Sequence, residues 1–515
     1  LDLVYKLRSV FISQLSAFGL FFLCLLIFLP LITLIFLGFL SPLGKWNPTL
    51  PIYLLNSFFL VAGGGGICLV WGVSIAWLLV HYSFPLHKTL SWFALLPLAC
   101  PAYLAGFIYG DLFEGIFAIR SIGVAMILFG SALFPYVYIF TRAGFIQQSI
   151  NYQLAGHSLG LNRWQNFYRI SVPMALPFIS FGCLLAIIEI INDFGLVDYY
   201  AINTLSLGIY RTWLGKGDFV SAVQLSLLVL IILAILMVGE ASLLKQQKRF
   251  ENLSRQRSLR IKRLTGWRGF AACCWCLVPI IIGFILPVSV LIVKFIHHSS
   301  WVDIRYFFAP LKNTFLLAGL TIFFCISLSL VLNYAVRSAP RQLRSLGQLT
   351  NLCYALPGTL LSLAIIALLS KINGYLLSTG LFALLYGYLV RFTPPANRII
   401  HNSLEKITLS VERAAQGFGL KKMELMRLIH FPLLKGSILS SMIIIFTELL
   451  KELPLTLMLR PFNFDTLAIS VYQYASDERL NTAAGFALLL ILAGLPALYF
   501  FNRLITQTRA EEILH

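Results

Sequence analysis

Four carboxylates stand where a cation could be handled away from water. Glu189 lies in "LLAIIEIINDFG" and Glu448 in "MIIIFTELLKEL", both apolar stretches, and Asp193 and Glu452 follow four residues later. Ionised groups in hydrocarbon are costly and usually face a cavity or a partner. On a continuous helix an i,i+4 spacing stacks each pair on one face, one turn apart, so these residues are a candidate translocation pathway. Hard oxygen ligands suit a hard cation. The alternative is equally open: the acids pair with Lys451, Arg460 or Arg211 and hold the outer ends of helices.

Other chemistry is sparse. No Gly-x-x-x-x-Gly-Lys-Ser/Thr phosphate loop occurs, so the chain is expected to hydrolyse no ATP by itself, to contain no catalytic residue and to bind no cofactor. The nine cysteines lie mostly in apolar stretches, and even "CCWC" at 273–276 reads as small buried hydrophobes. No metal-ligand set stands out.

Elements that could position the carboxylates follow from composition. The chain is 59% hydrophobic and 11% charged, which excludes a water-soluble protein and places it in a bilayer. Twelve apolar stretches could each cross ~30 Å of hydrocarbon as helix. They fall at 17–40, 52–80, 90–110, 121–140, 174–192, 219–240, 270–293, 313–336, 348–370, 376–395, 433–450 and 482–505. The first is too long for a signal-peptide core and is expected to be retained. With both termini cytoplasmic, 28 of the 39 Lys and Arg fall on the inner side, as the positive-inside rule requires. The net charge of +19 is therefore a topology signal rather than a nucleic-acid footprint.

The chain repeats itself. "GLNRWQNFYRISVP" at 160–173 returns as "GLKKMELMRLIHFP" at 419–432, 259 residues on, and "NSFFLVAG" at 56–63 returns as "NTFLLAGL" at 313–320. Six stretches per copy keep both copies in the same orientation, a parallel repeat. The expected fold is an all-α polytopic membrane protein with a first half at 1–240, a basic cytoplasmic linker at 241–269 and a second half at 270–515. "GGGG" at 63–66, inside an apolar stretch, marks close helix packing rather than a phosphate cradle.

The repeated segment sits between the fourth and fifth stretches of each half, on the inner side. Ala155 and Gly156 answer Ala414 and Ala415, and their small side chains admit another surface closely. Gly160 and Gly419 suit a helix C-terminus with a left-handed backbone. Asn162 with Gln165 looks like a capping box opening a second short helix, and Pro173 and Pro432 would end that helix or open the next span. The product is a pair of short helices with a fixed bend.

This pattern resembles the "EAA" loop of binding-protein-dependent ABC importer permeases. The resemblance implies that each loop's coupling helix, with Ala155, Gly156 and Gly160 or Ala414, Ala415 and Gly419, docks in a groove on a cytoplasmic ATPase, two copies of which would serve one chain. Leu154 and Arg413 stand where that family usually has Glu, although Glu412 is adjacent, and Gly156 replaces an Ala. The stretches at 189–218 and 448–480, above all "KELPLTLMLRPFNFDTLA", are similar to ferric-iron permeases of the superfamily. That likeness implies ferric iron as substrate, a periplasmic iron-binding protein as donor and the bacterial inner membrane as location. Thiamine permeases share the duplicated plan, and an ion-gradient-driven secondary transporter would share the twelve parallel-repeat stretches.

Overall fold

The computed structural model describes residues 2–40, 48–115, 119–148, 156, 158–247, 262–298, 305–338, 353, 356–373, 380–420 and 422–514. Within hydrocarbon the backbone must satisfy its own polar groups, and helices do so locally. The first repeat runs through α1 (Asp2–Leu40), α2 (Leu50–His81), α3 (His87–Phe93), α4 (Ala102–Leu112), α5 (Ile122–Gln147), α6 (Arg163–Asn166), α7 (Val172–Asn192), α8 (Gly195–Tyr199), α9 (Leu205–Tyr210) and α10 (Phe219–Gln247). The second runs through α11 (Trp267–Ile280), α12 (Leu286–His298), α13 (Arg305–Ser338), α14 (Gly358–Asn373), α15 (Leu381–Glu405), α16 (Leu409–Gly417), α17 (Lys422–Leu425), α18 (Phe431–Leu450), α19 (Pro454–Leu459), α20 (Leu467–Ser476) and α21 (Leu480–Leu514). Strands β1 (Tyr82–Ser83) and β2 (Lys262–Arg263) pair in parallel, which ties the end of the basic linker to the chain beyond α2. Linker residues 248–261 lie outside the described residues.

Among the described residues nine helices are long and apolar enough to span a bilayer, or ten with one bent pair, so the expected twelve are matched only in part. The stretch at 90–110 is that pair, bent by 86° between Ala99 and Ala102. Cys100 is held extended ahead of Pro101, as the proline ring demands of its predecessor. In the stretch at 348–370 the described helix is short, Gly358–Ser370. The stretch at 376–395 becomes α15, which carries Arg391, Pro394, Pro395, Asn397 and Arg398 and is too polar to count.

The compact units are not contiguous in sequence. One comprises Leu1–Pro42, Asp303–Ser470 and Leu492–His515; the other comprises Leu43–Val302 and Val471–Ile491. In the first unit α1 lies against the second repeat, where Tyr386 donates a 2.6 Å hydrogen bond to the Leu26 carbonyl. In the second unit α11 and α12 lie against the first repeat: the Trp275 indole N–H donates to Ser74 Oγ at 2.8 Å, Tyr109 donates to the Ile282 carbonyl at 3.0 Å, and Lys294 pairs with Asp111 at 2.7 Å. Each linear half therefore sends its opening helix to the unit built mainly from the other.

Glycines let helix backbones touch. A Cβ on Gly182 of α7 would lie 2.8 Å from Val137 Cα and 2.9 Å from the Tyr136 carbonyl oxygen of α5. In "GGGG", Gly64 would meet Ile190 and Phe129 at 3.2 and 3.3 Å, whereas nothing lies within 4 Å of a Cβ at Gly66. Since backbone cannot swing aside as a side chain can, Gly182→Ala is expected to cost about 1–3 kcal/mol and to lower the monodisperse protein recovered in detergent. Gly66→Ala is expected to leave that yield unchanged.

Candidate functional site

Both repeated loops turn on the same backbone device. Gly160 and Gly419 adopt φ of +79° and +84°. One residue on, the Leu161 amide donates to the Gly156 carbonyl at 3.0 Å and the Leu420 amide to the Ala415 carbonyl at 3.3 Å. These are the six-to-one bonds of a Schellman turn, which needs a left-handed residue just before its last donor. The expected capping box forms in the first loop: the Gln165 amide donates to Asn162 Oδ1 at 2.8 Å and the Asn162 amide to Gln165 Oε1 at 3.0 Å.

The small residues divide their labour. A Cβ on Gly156 would come within 2.6 Å of Asn166 Oδ1 and Ile170 Cδ1, so the backbone at Gly156 sits close against α6 and the turn that follows it. Ala415 is buried in the second loop, Ala414 is exposed, and Ala155 lies outside the described residues. Neither proline ends a helix. Pro173 and Pro432 sit in the first turns of α7 and α18, after π-helical turns at Phe167–Ser171 and Met426–His430. Proline lacks an N–H and crowds the carbonyl four residues back, and the wider turn accommodates it. Each short helix thus runs directly into a membrane span, and the bend lies at the glycine.

Different chemistry anchors the two loops. Glu412 of α16 turns inward, with Oε1 2.6 Å from the Arg337 guanidinium and 3.0 Å from His430 Nε2. Arg337 also donates to the carbonyls of Leu404 and Ile407 at 2.7 and 2.8 Å, and the Tyr334 hydroxyl meets His430 Nδ1 at 2.8 Å. Near the first loop Trp77 packs between His81, Phe145 and Phe167, with ring centroids 3.6, 5.2 and 4.7 Å away, and Gln148 donates to the Ser171 carbonyl at 2.7 Å. Sequence spacing does not announce this clamp, because Arg337 lies 75 residues before Glu412.

The carboxylate ladder does not form as a ladder. α7 ends at Asn192 and α18 at Leu450, so Asp193 and Glu452 leave the helical faces of Glu189 and Glu448. Each caps the short helix that follows: Asp193 Oδ1 accepts from the Leu196 amide at 2.9 Å and Glu452 Oε1 from the Leu455 amide at 3.2 Å. Capping an N-terminus is what a carboxylate does best there, satisfying amides that lack helical partners. Glu452 further holds buried Arg391 at 3.0 Å, and Arg391 donates to the Leu356 carbonyl. Glu448 pairs with Lys451 at 3.1 Å, while Glu189 is half-buried near the end of α7.

The repeated "NSF" and "NTF" prove to be anchors. Asn56 donates to the Asn203 carbonyl at 3.0 Å and Asn313 to the Asp465 carbonyl at 3.1 Å. Ser57 and Thr314 accept from the amides of Leu205 and Leu467 at 3.0 and 2.9 Å. Asp198 is tied to Arg211 at 3.1 Å and accepts from Tyr472 at 2.6 Å, and Arg460 pairs with Asp465. Burial, then that hydrogen bond to Asp198, pushes the Tyr472 phenol up. Asp477 and Glu478 are exposed. Among the described residues no group of three or more His, Cys, Asp or Glu could hold a metal ion.

The same bent loop, twice, each running into a membrane span, coincides with a family pattern found twice. Residues 68–249 and 326–509 match the family described as binding-protein-dependent transport system inner membrane component. The chain belongs to this family. It is a duplicated, multi-pass, all-α permease. It is 24% identical over 435 residues to an Fe(3+)-transport system permease protein of Haemophilus influenzae, covering 82% of this chain and 84% of that one. A ferric transport system permease protein of Actinobacillus pleuropneumoniae is 20% identical over 501 residues, covering 88% and 71%. The sulfate transport system permease protein of Escherichia coli is 29% identical, over only 36% of this chain and 73% of its own.

Proposed function

We propose that this permease is the membrane subunit of an ATP-driven importer that takes ferric iron from a periplasmic binding protein and releases it into the cytoplasm by alternating access. The observation that carries the substrate is likeness to Fe(3+) permeases along four-fifths of the chain, whereas the sulfate relative matches about one repeat. A carboxylate within a span, such as half-buried Glu189, agrees, because it would repel an oxyanion and attract a cation. Glu189 and Glu448 are the pathway residues in this proposal; Asp193 and Glu452 position the short helices beside them. The bent loops at Gly160 and Gly419 lie on the cytoplasmic side of the inner membrane and each receives one ATPase subunit, which supplies all ATP hydrolysis.

The test is purification of the permease from cells in mild detergent, followed by reconstitution with the ATPase that accompanies it and with candidate binding proteins. Two ATPase copies per chain are expected, with ATP hydrolysis stimulated several-fold by an iron-loaded binding protein and not by a sulfate- or thiamine-loaded one. Stimulation by a binding protein carrying sulfate or thiamine would replace the substrate. Transport that follows an ion gradient with no ATPase bound would replace the mechanism.

A further inference from the structure

We infer that the second loop offers its ATPase a basic and apolar face, so that the groove receiving it is rimmed by carboxylates. This rests on the importer function proposed above and specifies the chemistry of one of its two contacts.

The acid on the docking helix itself is already committed. Glu412 is only 15% exposed, and Arg337 and His430 both lie within 3.0 Å of its Oε1. Because Arg337 is itself fixed by the Leu404 and Ile407 carbonyls, the carboxylate cannot turn outward without stranding a cation. Arg413 follows one residue later, about 100° around the helix, and is exposed. On the same segment Phe418 is 89% exposed at the helix end, Ala414 and Gly417 are open, and Arg427 and Leu428 are exposed beyond the bend. From 406 to 435 the exposed charges among residues whose side chains are described are Lys406, Arg413, Arg427 and Lys435 against Glu424.

A protein groove closing over Arg413 would have to supply a counter-charge, and Phe418 is the kind of aromatic side chain that anchors such a contact. Anionic lipid also attracts a basic surface. The fixed turn argues for a protein partner: φ of +84° at Gly419 and the Leu420 to Ala415 bond set the bend between Phe418 and Arg427. Such preorganisation strengthens binding to a shaped groove and gains nothing on a fluid headgroup layer.

The measurement is titration of permease in nanodiscs with the ATPase that co-purifies with the wild-type chain. Arg413→Glu is expected to weaken the second of two binding events by about 10-fold or more, as like charges then meet across the contact. Arg413→Gln is expected to fall between, Arg413→Lys to bind as wild type, and reversal of one acidic groove residue in the ATPase to restore Arg413→Glu. Wild-type affinity in Arg413→Glu overturns the inference. So does a defect that appears with phosphatidylglycerol discs and vanishes in phosphatidylcholine discs, which would assign Arg413 to lipid. Failure of the wild-type permease to bind any ATPase would refute the importer function itself, a result separable because it needs no variant.

Discussion

Gly419→Val is expected to abolish ATP-coupled uptake while leaving the protein in the membrane at wild-type amount. The site isolates backbone conformation from packing, because a Cβ there would meet nothing within 4 Å. What valine cannot do cheaply is hold φ of +84°. A β-branched residue in that region costs on the order of 1–3 kcal/mol, and relaxing it out of that region breaks the Leu420 to Ala415 bond that closes the turn. The short helix beyond the bend would then lose its fixed direction into α18. Gly419→Asn is the informative control, since asparagine tolerates the left-handed region and is expected to keep most of the uptake. Gly160→Val, at φ of +79° and equally open, is expected to act the same way through α7. Uptake is read as iron accumulation in inverted-control vesicles normalised to permease content. Wild-type uptake in both valine variants would remove the bend from the mechanism.

Glu452→Gln and Glu189→Gln are expected to fail in different ways, although their sequence settings look alike. Glu452 is 5% exposed and is the counter-ion of Arg391, itself 8% exposed. Its loss strands a buried guanidinium, which costs roughly 3–5 kcal/mol and is expected to deplete folded permease. Replacing both partners, Arg391→Met with Glu452→Gln, is expected to recover part of the yield, because no lone charge remains. The double variant Glu189→Gln and Glu448→Gln is expected instead to reach the membrane, bind ATPase and transport iron at a rate reduced ~10-fold or more, as neutral sites no longer attract the cation. Yield by fluorescence-detected gel filtration and iron uptake per permease separate the outcomes. Normal uptake in the glutamate pair would take Glu189 and Glu448 off the pathway, and normal yield in Glu452→Gln would deny the ion pair its structural weight.

The sequence by itself determined the class of protein, the duplication and the bend. Hydropathy fixes membrane residence because hydrocarbon accepts little else, and a glycine in the same place of two copies fixes a left-handed turn because few residues adopt one. Gly160, Gly419 and the Asn162 and Gln165 capping box were legible because their partners lie within six residues. The tertiary structure alone decided which partners Glu412 and Glu452 take. Nothing near Glu452 in the chain announces Arg391, sixty-one positions earlier, and nothing near Glu412 announces Arg337. Spacing suggested that Asp193 and Glu452 continue a helical face, but the helices stop just before them and the freed carboxylates cap the next turn. The exchange of α1 and α11 between the compact units was equally hidden, since a span's hydropathy records that it meets apolar surroundings and not which neighbour provides them. Polar groups buried in such a fold must be satisfied by whatever the packing brings near, so their partners are set by three-dimensional proximity rather than by sequence distance.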